Sequence, residues 1–315
     1  MFFLLLGVVT LLARQGFITP ALARELWQLW PLILVGIGIG LVLRRTTFEA
    51  LGGVIVAATF GLLLGAGLGT GVWGFGGFGG CTGSGGQGLP FPAMTGTLGG
   101  ESQLTIDVDC GALTLAPASG SGYRIEGEDA DGRGPIVDAT GATLRIASRD
   151  GGQLFRSGRD HWRMSLGTDP TLRLDVQANA GSLDLDLAAM HVPELVVSVN
   201  AGEAKIDMRT VARASTLTAS TNAGTIRIDL PVEDMRGSLA ANAGTIALCA
   251  PPGVALRFRV HDNITARYDF IRGGLLQRGD AWESPDYAAA EVRLEFDASA
   301  NAGTIRIDPA GTCGD

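Results

Sequence analysis

The sequence predicts N-terminal transmembrane α-helices followed by an all-β body, and three observations carry that expectation. The phrase NAGTIRID occupies Asn222–Asp229, returns at Asn301–Asp308 and shortens to NAGTI at Asn242–Ile246. Apolar residues around each copy alternate with period two, the mark of a strand with one buried face. Residues 1–72, in contrast, are nearly continuous in apolar side chains.

The membrane part comes first. Met1–Ala13 is an apolar run, Leu26–Leu43 holds 18 residues without a charge, and Ala50–Val72 holds 23. A bilayer core takes roughly 20 helical residues, so residues 1–72 read as an anchor of about three helices in the lipid bilayer of a cell membrane. Trp27, Trp30 and Trp73 stand at the edges of these runs, where indole rings favour the headgroup zone. Arg44 and Arg45 make a basic hairpin that reads as cytoplasmic and would send the body out of the cell. Arg14 and Arg24 put as many cations in the other loop, so the inverted orientation stays open. Gly61, Gly65 and Gly69 clear one face of the third helix for close packing against another helix. Residues 73–101 form a glycine-rich linker, since 13 of the 24 residues in Gly65–Gly88 are glycine.

Residues 102–315 are the β domain. Asn-Ala-Gly triplets start at Asn179, Asn200, Asn222, Asn242 and Asn301, with spacings of 21, 22, 20 and 59. Asp109-Cys110-Gly111 reads as an earlier, divergent copy. A period near 20 residues signals a solenoid, here a right-handed β-solenoid whose rungs each run strand, corner, strand. The last gap leaves room for two more degenerate rungs, with Trp282 and Tyr287 in an excursion capping the stack. At the corners, Gly181, Gly202, Gly224, Gly244 and Gly303 are expected to take positive φ. The asparagines are expected to tolerate the left-handed region and, stacked between rungs, to bond to the next rung's backbone. An antiparallel β-sandwich is the alternative, because hairpins alternate too.

Charge and motifs restrict the chemistry. The formal charge is −8, and the part beyond residue 71 carries −10, which repels phosphate backbones and argues against a nucleic-acid partner. Cys81, Cys110, Cys249 and Cys313 contain no CxxC pair, so they are disulfides or buried thiols rather than a zinc site. No HExxH, GxSxG or P-loop pattern occurs, and His161, His191 and His261 are scattered, so no catalytic residue, metal site or cofactor is expected. One outward column holds Asp186, Asp207, Asp229, Cys249 and Asp308; another holds Asp184, Lys205, Arg227, Ala247 and Arg306. One carboxylate per rung beside cations makes a poor calcium cage and a good solvated charge ladder. Residues 149–163 gather Arg156, Arg159, Trp162 and Arg163 as a candidate binding loop for an anionic group or partner.

The stretch GFITPALARELWQLWPLILVGIGIGLVLRR resembles the transmembrane region shared by bacterial LiaI and LiaF proteins. The body, with its NAG rungs and the closing SPDYAAAEVRLEFDASANAGTIRID, is similar to the LiaF C-terminal and adhesin-like β-solenoid domains. The resemblance implies a non-enzymatic protein that senses or regulates cell-envelope stress, with a membrane sensor such as a histidine kinase as partner. An adhesin-like surface binding module is the alternative.

Overall fold

The computed structural model describes Thr59 and residues 88–129, 131–149, 160–261 and 266–308. The anchor expected over 1–72, with Gly61, Gly65 and Gly69, otherwise lies outside the described residues, as does most of the linker. No helix among the described residues is long and apolar enough to cross a membrane. Contacts divide the chain into Met1–Gly80 and Cys81–Asp315, and all the strands lie in the second unit.

Alternating burial shows why these segments extend. In β2 (Glu101–Ala118) the inward residues are Leu104, Ile106 and Val108, then Leu113 and Leu115. The inward set switches from even to odd numbers across Asp109–Gly111. Because strand side chains alternate strictly, such a slip turns the second arm so that both arms face one interior. β7 (Thr171–Asp186) repeats the switch between Ala178 and Leu183, and β8 (His191–Asp207) between Val199 and Ala204. Later rungs are split in two at the same place. They are β9 (Arg213–Thr221) with β10 (Thr225–Asp229), and β11 (Met235–Ala241) with β12 (Thr245–Cys249).

All these rungs stack in parallel and in register. Leu104 lies beside Leu174 and Leu113 beside Leu183; Leu174 in turn lies beside Leu195. Ile206, Ile228 and Leu248 continue one such column. Parallel neighbours on both arms replace the antiparallel sandwich alternative. The inward side chains make one hydrophobic cluster running through the stack.

Stacking order departs from chain order at both ends. β17 (Val292–Ala300) and β18 (Thr304–Asp308) lie directly on β11 and β12, although 42 residues separate Cys249 from Val292. The intervening β13 (Val254–His261) and β14 (Arg267–Asp269) stack beyond them. The long gap thus holds a single rung, placed last, plus a hairpin of β15 (Leu276–Arg278) and β16 (Ala281–Glu283), and not two further rungs. At the opposite end, β5 (Thr143–Ala147) and β6 (Asp160–Gly167) lie on the outer edge of β2.

Antiparallel strands close both ends. β3 (Gly122–Asp129) pairs with β6, β1 (Leu89–Thr97) with β3, and β4 (Ile136–Thr140) with β5. Pro90 and Pro92 remove two amide donors from β1, which suits an edge and blunts further pairing. At the far end Phe258 stacks on Phe270 at 4.5 Å and on Phe296 at 5.5 Å, and Trp282 meets Phe270 edge-on at 6.1 Å. The aromatic rings fill the last layer of the interior, where no further rung supplies aliphatic side chains.

The corner glycines obey a rule other than the expected one. Gly181 and Gly202 do have positive φ, at 134° and 124°, but Gly224, Gly244 and Gly303 do not. What the column shares is proximity. A Cβ on Gly181 would sit 1.8 Å from the Gly111 carbonyl oxygen, and one on Gly202 would sit 2.0 Å from that of Gly181. On Gly224 and Gly244 the distances to the preceding rung's glycine oxygen are 2.6 and 2.3 Å. Each glycine is required because the preceding rung's backbone lies where its side chain would be.

Gly202→Ala is expected to destabilise the body by about 3 kcal/mol or more, adding overlap with a neighbouring backbone to the strain at φ 124°. Gly141→Ala, at φ 61° with open space around it, should cost only about 1–2 kcal/mol. Chemical denaturation of both variants checks the contrast; equal losses would refute the stacking explanation.

Candidate functional site

Along the outside of the corners runs a ladder of side-chain amides. Asn179 Nδ2 donates to Asp109 Oδ1 at 2.7 Å, Asn200 to Asn179 at 2.7 Å, and Asn222 to Asn200 at 2.6 Å. Asn242 donates to Asn222 and Asn301 to Asn242, each at 2.6 Å. An ionised carboxylate only accepts, so Asp109 is the terminal acceptor and sets the direction of every amide in the row. Among the described residues Ala189 is the only non-glycine with positive φ, so these asparagines do not use the left-handed region. Their shared feature is the ladder, in which each amide bonds to the neighbouring side chain and not, as expected, to the next rung's backbone. Asn301 bonds across a gap of 59 residues because its rung lies directly on that of Asn242.

Among the described residues the later part of the charged columns forms ion pairs, while Asp186 accepts the backbone N–H of Ala188. Asp207 and Arg209 approach to 2.5 Å, and hydrogen bonding from Arg209 holds the Asp207 carboxyl below its ordinary pKa. Arg227 lies 3.8 Å from buried Asp229, too far for a hydrogen bond, and 3.8 Å from Asp308 two rungs away. Ala247 and Cys249 occupy the rung between, and their small side chains let the guanidinium span it. Arg306 pairs with Asp308 at 3.4 Å. Within the described residues no group of three or more His, Cys, Asp or Glu is placed to hold a metal.

Of the candidate binding loop, Arg156 and Arg159 lie outside the described residues. Trp162 is not a loop residue: it is 2% exposed in β6, between Leu113 and Gly127. Period-two alternation places it inward, so it packs the core and is closed to a ligand. Arg163 takes the outward slot and pairs with Glu126 at 3.7 Å. Beside them Asp160 accepts from Ser148 Oγ at 2.6 Å. Burial, partly opposed by that bond and aided by Asp129, Asp109 and Asp131, raises the Asp160 pKa.

Cys110 and Cys249 are each disulfide-bonded. The rungs of β7, β8 and β10 separate them, which at ~4.8 Å per step is too far for a bond to one another. Cys81 and Cys313 lie outside the described residues.

Among the described residues a trough lies on the outer face where β9, β11, β17 and β13 begin. Two hollows of about 440 and 470 Å³ both touch Ser215 and Asp234. Parallel register puts Glu295 between Arg236 and Arg257. Glu295 pairs with Arg259 at 2.8 Å and only loosely with Arg236, at 3.9 Å. Arg257 is clamped: its Nε donates to Glu283 at 2.9 Å, and its guanidinium lies 4.1 Å above the buried Tyr287 ring. The Glu283 bond raises the Arg257 pKa further. Asp234 accepts the backbone N–H of Arg293 at 2.7 Å, and Glu233 that of Ala214 at 3.1 Å. Arg213 and Arg293 line the trough without an ion pair among the described residues. Sequence reading missed this group because its members are spread from residue 213 to residue 295 with no local motif. Its one signal is that each arginine fills an outward strand slot.

Two substitutions test the ladder and the acidic corner. Asn222→Ala should cost about 1 kcal/mol, since solvent replaces the lost bonds at an exposed site. Asn222→Asp should cost more at neutral pH, because a carboxylate cannot donate to Asn200, and should recover on acidification. Equal stability of the two variants in denaturant titrations would argue against a directional ladder. For Asp160, a raised folded-state pKa means more bound protons folded than unfolded. Stability therefore falls as pH climbs from the ordinary carboxylate range through the raised value, and stays reduced above it. Asp160→Asn should melt higher than the parent at neutral pH and lose that part of the pH dependence; thermal melts between about pH 4 and 8 measure it.

Residues 100–235, from the start of β2 to the start of β11, match the family model for the N-terminal domain of toast_rack, DUF2154. No curated protein matches the chain. Among solved structures, a candidate cell adhesion protein from Clostridium sporogenes is 12% identical with a TM-score of 0.47, covering 69% of this chain and 98% of that one. A candidate adhesin from Bacteroides fragilis is 10% identical, TM-score 0.30, covering 69% and 96%. Another from Parabacteroides merdae is 11% identical, TM-score 0.19, covering 71% and 98%.

Proposed function

We propose that the protein is a non-enzymatic, membrane-anchored component of the bacterial envelope, LiaF-like in kind, with its β body outside the cytoplasm. The observation that carries this reading is that Cys110 and Cys249 are each disulfide-bonded, in two separate bonds. Disulfides persist in oxidising compartments, and the body follows apolar runs long enough to span a bilayer. The family match over residues 100–235 supports the LiaF-like part of the reading. In this proposal the helices contact a membrane partner such as a histidine kinase, and the rung stack is the rigid outer element whose state the helices report. The trough favours a second reading, an adhesin-like binding module, because it gives the outer face a shaped polar concavity.

Orientation is testable with one residue. Lys205 is the only lysine in the chain, and it is exposed on β8. A membrane-impermeant amine reagent applied to intact cells should label the protein, and Lys205→Arg should abolish labelling of the body. Labelling only after lysis would place the body inside and overturn the proposal. In-membrane crosslinking that recovers a sensor protein supports the regulatory reading. An unchanged stress response on deletion would leave the adhesin-like module in its place.

A further inference from the structure

We infer that the trough between β9 and β13 is a binding site for an anionic polyol chain, a saccharide or polyol polymer bearing carboxylate or phosphate groups. Its cations differ in commitment. Arg257 is held on one edge by Glu283 and on its face by Tyr287, which pre-orders the group and, among the described residues, leaves Nη1 without a partner. Among the described residues Arg293 and Arg213 have no ion pair, and Arg236 is 85% exposed with only a 3.9 Å contact to Glu295. Guanidinium groups bind oxyanions with paired, directional bonds, and fixing them beforehand lowers the cost of binding.

The acids are placed differently. Glu233 and Asp234 accept backbone N–H groups, Glu295 answers Arg259, and Glu291 stands exposed at the rim, so four carboxylates balance the four arginines. They hold the loops in shape and keep the trough from being a bare cationic patch, which would trap any polyanion in a chain of net charge −8. Donors and acceptors therefore alternate along the trough, with the Ser215 hydroxyl at the junction of the two hollows. A chain of hydroxyls interrupted by oxyanions matches that alternation. A peptide ligand would need a deep apolar anchor, whereas the apolar side chains of the trough, Met235, Tyr287, Val292 and two alanines, are interleaved with eight charged ones. The inference does not depend on the membrane partner or on orientation.

The test uses the full chain in lipid nanodiscs with four probes: an oligogalacturonate, a polyglycerol phosphate, a neutral malto-oligosaccharide and polyglutamate. One or both acidic polyol chains should bind, more weakly as salt rises, and which one binds separates carboxylate from phosphate recognition. Combined Arg236→Ala and Arg293→Ala should weaken binding about 10-fold or more with an unchanged melting curve. Arg145→Ala, an exposed arginine on β5 paired with Asp107, should leave it intact. Binding of neither acidic chain, equal binding of the neutral sugar or of polyglutamate, or a double variant that binds like the parent would each overturn the assignment.

Discussion

The structure depends on the closeness with which one rung's corner lies on the next. Parallel strands must sit ~4.8 Å apart to share hydrogen bonds. At a corner, where the backbone turns, that spacing leaves no room for a Cβ between successive rungs. Glycine is therefore fixed by its neighbour in the stack rather than by its own dihedral angles, and the mixture of positive and negative φ down the column makes the point. The asparagine beside it serves the same geometry from outside, since amides one rung apart are at hydrogen-bonding distance only while the register is kept. Glycine permits the approach and asparagine marks its phase.

A single rung has no interior of its own. Ordering its backbone costs roughly 1–2 kcal/mol per residue, and its inward leucines and isoleucines leave water only when rungs lie above and below. Stacking solves this for every rung except the first and last, and both ends are built by the same device. A segment remote in sequence is placed outermost and is then flanked by antiparallel strands. At one end β6 covers β2 and is itself covered by β3; at the other β13 covers β17 and is covered by β16. Inserting β17 and β18 beneath an earlier rung also means that the end cannot form until residues near 300 arrive. The terminal rungs thus tie the stack together over long sequence distances.

Much of this was legible in the residues. The triplets, their period and the phase of alternation identify the rungs, and they name the glycines and asparagines of both columns. The reason for the glycines was not legible, because a steric conflict with another rung is a tertiary fact that propensity does not record. Stacking order was also hidden: the 59-residue gap between Asn242 and Asn301 is as consistent with two more rungs as with an insertion. Trp162 shows a subtler failure. An arginine-rich neighbourhood suggested a loop, yet strict alternation over Trp162, Met164 and Leu166 already marked an inward face. The local pattern outranked the local composition.

The location of the trough follows from the same irregularity. A perfect repeat presents an identical surface on every rung, and such a surface offers ladders of like groups rather than a site. The outer corners of β2, β7 and β8 come close to that condition, with Asp109, Asn179 and Asn200 in one row. Where β17 is inserted between β11 and β13, residues from three distant parts of the chain meet on one face. There Glu295 finds arginines on both sides, and the segment ending at Tyr287 packs against Arg257. The break in sequence order is what brings unlike side chains together. In a protein made of nearly identical rungs, chemical individuality arises where the stack is assembled out of order.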